Sequence, residues 1–188
     1  MYWLPNLITL VRVPVIALLA LPALSGLPFI PEVTITGEQA FWLFAAGILS
    51  HGLDGMARTL FYLTDRRGLW HELDTAVLSL GLQVGAALWL IDHGTLDWWI
   101  LAAYLAVVMV LQAGYVDRRK AAKRPFIPIV LIGSAPVWLT LGVLLSIEAG
   151  TNPVGIAAFM TTFGLVHFLI QTHVWIRWNE ERQGKLYN

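Results

Sequence analysis

Cysteine is absent from the 188-residue sequence, and charged residues make up only 13% of it. Without cysteine there is no disulfide, no thiolate metal site and no cysteine nucleophile. The twelve basic residues balance twelve acidic ones, so the net charge of zero excludes a general electrostatic attraction to nucleic acid. The sequence also has no convincing internal repeat and no low-complexity segment, which excludes repeat arrays and compositionally disordered regions.

Apolar residues dominate the remainder: 57% of the chain is hydrophobic and 12% is aromatic. These proportions are typical of a membrane protein. A bilayer core requires about 20 predominantly apolar residues per helix. Six such stretches occur, at residues 6–25, 40–62, 73–91, 98–116, 126–147 and 154–176. The first lacks the basic segment that opens a signal peptide, so it is interpreted as a transmembrane helix. The sequence therefore predicts an all-α integral membrane protein, with residues 1–188 forming a single domain of six transmembrane helices.

The distribution of arginine and lysine predicts the orientation of the chain. The connections at 26–39, 92–97 and 148–153 contain neither residue type. Apart from Arg12 and Arg58, near the ends of their predicted helices, the basic residues lie in the alternate connections and after the last span: Arg66, Arg67, Arg118, Arg119, Lys120, Lys123, Arg124, Arg177, Arg182 and Lys185. By the positive-inside rule both termini face the cytoplasm. We expect a multi-pass protein of the bacterial inner membrane, in contact with membrane lipids.

Ionisable side chains enter the apolar sequence mainly around the end of the second predicted span. Charge within a membrane is costly and marks a functional site. On a helix, His51 and Asp54 are three residues apart and Arg58 lies four beyond Asp54, so that all three share one face. Gly52 and Gly55 flank the carboxylate and remove side-chain bulk, which allows a ligand or another backbone to approach closely.

Two interpretations of this region are open. Asp54, together with Glu72 at the start of the third span, would supply oxygen ligands from two facing helices. Such ligands suit a hard cation such as Mg²⁺, which a phosphate-bearing substrate would help to coordinate. Alternatively, Asp54 and Arg58 form an intrahelical salt bridge, and His51 is a polar residue whose hydrogen bonds are satisfied. The first interpretation predicts a metal-dependent phosphate site, and the second predicts a structural one.

The chain resembles the CDP-alcohol phosphotransferases in two motifs. Their signature, D-x2-D-G-x2-A-R-x8-G-x3-D-x3-D, is matched by Asp54, Gly55 and Gly68 at the right mutual spacing. The opening segment is similar to the family's first helix, where an N-x2-T-x2-R pattern helps to hold the CDP group. The residues at those three positions are Asn6, Thr9 and Arg12. The resemblance implies six transmembrane helices, cytoplasmic termini, a homodimer, CDP-diacylglycerol as the donor lipid and a divalent metal, Mg²⁺ or Mn²⁺.

The signature is altered at several positions. His51 stands at the first aspartate, Thr59 at the arginine, Glu72 at the third aspartate and Ala76 at the fourth. In the family, the first aspartates coordinate divalent metal. The last is the general base on the acceptor hydroxyl, which attacks the β-phosphorus of the CDP-linked donor and releases CMP. The resemblance therefore implies His51, Asp54 and Glu72 as the remaining metal ligands, beside a site that has lost its base at Ala76.

Neither neighbour of Glu72 replaces that base well. Asp74 is two residues further on, about 200° around a helix, and so faces elsewhere. His71 is a candidate base by its ordinary pKa, but it precedes the helix face in question. General-base assistance contributes about 10²- to 10⁴-fold, and a loss of metal charge weakens the electrostatics on which phosphoryl transfer depends. The departures together predict a catalytically inactive or much altered member.

The leading hypothesis is a membrane protein of this fold that has lost catalysis. It would bind lipid or nucleotide, or serve as an accessory subunit of a larger membrane-protein complex. The alternative is a divergent but active phosphatidyltransferase that moves a phosphatidyl group from CDP-diacylglycerol to a small alcohol in phospholipid biosynthesis, using His51, Asp54 and Glu72 around a different metal. A small transporter is a third option, although neither an inverted repeat nor a paired broken helix is visible.

Overall fold

The computed structural model describes residues 3–60, 77–107, 129–166 and 169, with side chains described at 6–54, 77–107, 136–166 and 169. Every regular element within these ranges is helical, which confirms the predicted all-α class. The helices are α1 (Trp3–Leu10), α2 (Arg12–Leu24), α3 (Gly37–Leu60), α4 (Ser79–Asp92), α5 (Trp98–Val107), α6 (Ile129–Glu148) and α7 (Pro153–Val166).

The first predicted span is divided at Val11, between α1 and α2. Pro14 has no N–H to donate to the carbonyl of Leu10, so the helical ladder loses a hydrogen bond at that point. Val11 nevertheless keeps helical backbone angles, with φ −57° and ψ −29°, and Asn6–Leu24 remains one nearly continuous helical stretch. The break makes Arg12 the first residue of α2.

The apolar core lies among α2, α3, α4 and α6. Small residues on α4 allow it to approach α2 closely, since a Cβ at Gly85 would lie only 3.2 Å from the carbonyl oxygen of Ile16 and 3.3 Å from Cβ of Leu19. Such close backbone approach is the usual result of small residues at a helix interface. The buried hydrophobic residues are Val15, Leu19, Ala40, Phe41, Phe44, Leu82, Ala86, Ala87, Trp89, Leu90, Leu141 and Leu145.

Three connections meet at one end of the bundle. The indole Nε1 of Trp89 donates to the carbonyl of Ile35 at 3.3 Å, and the hydroxyl of Thr95 donates to the carboxylate of Glu148. A Cβ on Gly37 would collide with the backbone of Glu148, so the start of α3 lies directly against the end of α6. The segments brought together here are the three connections whose sequences contain no arginine or lysine.

The described helices lie within or beside the predicted spans. The stretch Asn6–Leu24 is long and apolar enough to cross a membrane. Four other apolar helical stretches are only 10–17 residues long, below the 18 residues taken as the minimum for a span: Ser79–Asp92, Trp98–Val107, Pro136–Glu148 and Pro153–Val166. The structure does not describe every residue of the predicted spans. The parts that lie outside the described residues are at 61–76, at 108–128 and beyond 166, apart from residue 169.

Candidate functional site

A buried arginine is at the centre of the candidate site. Arg12 has 0% of its surface exposed, and each of its three guanidinium nitrogens points to a different residue of α3. Nε lies 3.4 Å from Oγ of Ser50, and Nη1 lies 3.3 Å from Nδ1 of His51. Nη2 lies 3.5 Å from Oδ2 of Asp54, whose residue is 1% exposed. The fork geometry of a guanidinium suits this division of its donors among several acceptors.

The three acceptors share a face of α3 because of helical periodicity. Ser50 and Asp54 are four residues apart, one turn along the helix, and His51 is next to Ser50. The hydroxyl of Ser50 also donates to the carbonyl of Ile8 in the last full turn of α1, at 2.5 Å. Ser50 therefore links α1 to α3 while it accepts from Arg12 on α2.

His51 extends the cluster to two further helices. Its Nδ1 also lies 3.2 Å from Oγ of Ser79, at the first residue of α4. Because an arginine can only donate, Nδ1 accepts the hydrogen bond from Arg12, and a neutral imidazole then carries its proton on Nε2. The ring stacks on Trp138 of α6, with the centroids 6.1 Å apart and the planes 16° from parallel. Residues from α2, α4 and α6 thus contact the imidazole that α3 carries.

Within the described residues, the charged and polar groups of the cluster pair with one another. The positive charge of Arg12 is paired with the negative charge of Asp54, and the polar contacts from Ser50 and His51 satisfy the other nitrogens of the guanidinium. A buried ion pair requires such additional hydrogen bonds to offset the cost of desolvation. Across the described part of the chain, no buried side-chain nitrogen or oxygen lacks a hydrogen-bond partner.

The structure brings the two predicted motifs together. Arg12 of the opening motif contacts both His51 and Asp54 of the second motif. Thr9, one turn before Arg12, is 1% exposed, and Asn6 is half-buried on the same helix. The segments holding the two motifs therefore pack against each other, although they are about 40 residues apart in sequence.

Several predicted site residues cannot be placed in this cluster. Three of them lie outside the described residues: Gly68, Glu72 and Ala76. For Arg58 and Thr59 the structure describes the helical backbone but not the side chains. Gly55 is described only as part of the backbone of α3. The meeting of Asp54 with Glu72, and the alternative pairing of Asp54 with Arg58, both stay predictions.

The space beside Gly52 differs from the expectation. We expected this glycine to let a ligand or a backbone approach the carboxylate. A Cβ at Gly52 would instead collide with the aromatic ring of Phe163 on α7. The small residue at this position therefore accommodates a side chain of the protein, because the ring of Phe163 packs directly against the backbone of α3.

The described region holds two of the three predicted metal ligands, His51 and Asp54, because Glu72 lies outside it. Within that region, no group of three or more histidine or carboxylate side chains is arranged to hold a metal. Asp54 and His51 both lie against the guanidinium of Arg12, so a divalent ion bound to these atoms would be next to a permanent positive charge. Coulomb repulsion at that distance opposes binding in a buried site, where screening is weak.

Three members of the cluster were not predicted. Ser50, Ser79 and Trp138 contact Arg12 or His51 in the structure. Helical spacing could have identified Ser50, because it lies one turn before Asp54. Ser79 and Trp138 come from other helices, and no local pattern in the sequence connects them to His51.

In the described part of the chain, fold and site together define an all-α architecture with an apolar core and a buried ionic cluster around Arg12. Comparison with known proteins adds no family assignment, since no family model, curated protein or solved structure matches the chain.

Proposed function

We propose that the chain is a six-span membrane protein of the CDP-alcohol phosphotransferase fold that no longer catalyses phosphatidyl transfer. In this proposal it binds lipid or nucleotide within the membrane, or it serves as an accessory subunit packed against another membrane protein. Both termini face the cytoplasm, and the surrounding membrane lipids are its first partners.

The arrangement of the connections supports the membrane topology. The segments around Ile35, Thr95 and Glu148 contact one another at one end of the bundle, and all three lie in or at the edge of connections without arginine or lysine. A membrane protein would place this end away from the cytoplasm. Trp98 and Trp99 begin α5 near the same end and are 71% and 58% exposed, as expected for aromatic residues at a membrane interface.

The observation that carries the loss of catalysis is the pairing of Asp54 with Arg12. In the family that the chain resembles, the corresponding carboxylate holds a metal ion, whereas Asp54 here is buried against a guanidinium. The sequence has already lost the expected base, which is replaced by Ala76. A site without its base, and with its carboxylate neutralised by the protein, would lack both the proton acceptor and the metal charge that phosphoryl transfer requires.

Release of CMP tests this proposal directly. The purified full chain in detergent micelles would be mixed with CDP-diacylglycerol, Mg²⁺ or Mn²⁺, and in turn with glycerol 3-phosphate, inositol phosphate and serine. We expect CMP to remain at the level of a protein-free control for every acceptor. Turnover above that background with any acceptor would overturn the proposal. Binding of radiolabelled CDP-diacylglycerol to the same sample would separate a lipid-binding role from a purely accessory one.

A divergent but active phosphatidyltransferase is the second candidate. The observation in its favour is that the opening motif and the altered signature meet in space, with Arg12 against His51 and Asp54. This candidate uses His51, Asp54 and Glu72 around a metal other than Mg²⁺. It predicts that Asp54→Ala abolishes phospholipid synthesis in a complementation assay, and unchanged growth with a folded Asp54→Ala protein would eliminate it.

A further inference from the structure

The guanidinium of Arg12 lies against both Asp54 and His51, two side chains that could ligate a cation. Its Nη2 is 3.5 Å from Oδ2 of Asp54 and its Nη1 is 3.3 Å from Nδ1 of His51. Both atoms are of the kinds that ligate transition metals, a carboxylate oxygen and an imidazole nitrogen. One side chain of the protein therefore occupies the position between two atoms that could otherwise ligate a metal.

Arg12 is held in this position by more than its charge. The third nitrogen, Nε, is 3.4 Å from Oγ of Ser50, and the Ser50 hydroxyl is itself fixed by its hydrogen bond to the carbonyl of Ile8. The residue is completely buried, so moving its guanidinium aside would separate a buried charge from the acceptors that it contacts here. Such an unpaired buried charge is strongly unfavourable.

The accepting atoms are also committed to this arrangement. Because Arg12 only donates, Nδ1 of His51 accepts from Nη1, and Oγ of Ser79 lies 3.2 Å from the same nitrogen. A metal ion would have to displace the guanidinium to reach the lone pair of Nδ1. It would then leave a positive charge beside its own, in a site that solvent does not screen.

We propose that Arg12 is a built-in cation that replaces a divalent metal at Asp54 and His51, so that the site is independent of metal and removal of the arginine charge opens it to a metal ion. This inference concerns the same site as the proposed function and deepens it by naming the group that neutralises the carboxylate. It makes the identity of residue 12 the determinant of whether the site binds a divalent cation.

The test measures Mn²⁺ binding to the purified full chain by isothermal titration calorimetry, with the amount of bound Mn²⁺ checked by electron paramagnetic resonance. The variants are Arg12→Met, Arg12→Lys and Asp54→Asn. Methionine and lysine are both unbranched and similar in length, but only lysine carries a charge. We expect wild type, Arg12→Lys and Asp54→Asn to bind Mn²⁺ equally weakly. Arg12→Met should gain a site with a Kd at least tenfold lower, which is lost again in Arg12→Met/Asp54→Asn.

Two results overturn the inference. One is a Mn²⁺ site in the wild type that Asp54→Asn removes, and this comparison is valid even where Arg12→Met fails to fold. The other is a folded Arg12→Met protein that binds Mn²⁺ no better than Arg12→Lys. The result of the Mn²⁺ test can be told apart from that of the CMP assay. CMP release in the presence of EDTA would overturn the proposed loss of catalysis, but it would not contradict a site that is independent of metal.

Discussion

Arg12 and Asp54 form a buried ion pair, with Nη2 of the guanidinium 3.5 Å from Oδ2 of the carboxylate. The two residues are 42 positions apart in the chain, and they join the start of α2 to the last third of α3. Neither has an appreciable exposed surface. The pair therefore ties two helices together at a point where each charge depends on the other.

Removing one charge of this pair should destabilise the protein strongly. We expect Arg12→Met and Asp54→Leu each to lower the free energy of unfolding by about 3–5 kcal/mol, because each leaves an uncompensated buried charge. The double variant should recover most of that loss, since a buried pair replaced by apolar residues is close to neutral. Chemical denaturation in detergent micelles, followed by circular dichroism, would measure the cycle. Losses that simply add in the double variant would contradict the pairing.

Ser50 should contribute more to stability than a buried serine that bonds only within its own helix. Ser50→Ala removes the hydrogen bond to the carbonyl of Ile8 and the acceptor for Nε of Arg12, which should cost about 1–3 kcal/mol. Ser146 is the matched control, because it is also buried, at 0% exposed against 6% for Ser50, but donates to the carbonyl of Val143 three residues earlier. Ser146→Ala should cost about 1 kcal/mol or less. Equal losses in the same unfolding assay would argue against a linking role for Ser50.

The contact between α2 and α4 should depend on the glycine at position 85. Gly85→Leu places a side chain where its Cβ alone is 3.2 Å from the carbonyl oxygen of Ile16, and the backbone there cannot move as a side chain could. We expect a loss of about 1–3 kcal/mol from overpacking. Gly164→Leu on α7 is the control, since no atom of the described residues lies within 4 Å of a Cβ at that position. A thermal-shift measurement in which both variants melt alike would be inconsistent with close packing at Gly85.

The absence of cysteine makes the membrane topology directly measurable. Single cysteines introduced as Glu32→Cys and Asn152→Cys lie in connections without basic residues, whereas Lys185→Cys lies near the basic end of the chain. We expect an impermeant maleimide added to intact cells to label the first two and not the third, as the positive-inside rule requires. After permeabilisation all three should react. Labelling of Lys185→Cys in intact cells would show that the predicted orientation is wrong.

Local sequence pattern was sufficient to locate most of the described helices. The sequence predicted one span over residues 6–25, so the break before Arg12 was not predicted, although Pro14 accounts for it. The spacing of His51 and Asp54 placed both on one face of a helix. Charge in apolar sequence singled out Asp54 as a candidate site residue, and the structure shows that Arg12 pairs with it. Ser79 and Trp138 could not be found in this way, because their relation to His51 depends on how α4 and α6 pack.

What the sequence determined by itself is the helical class, the apolar stretches and the identity of the residues that carry charge and hydrogen bonds within them. It also left two partners for Asp54, a divalent metal or the arginine one turn away at position 58. The tertiary structure alone placed Arg12 against Asp54, since helical periodicity relates residues only within a helix. Which helices meet depends on long-range packing, such as the close approach that Gly85 permits between α2 and α4.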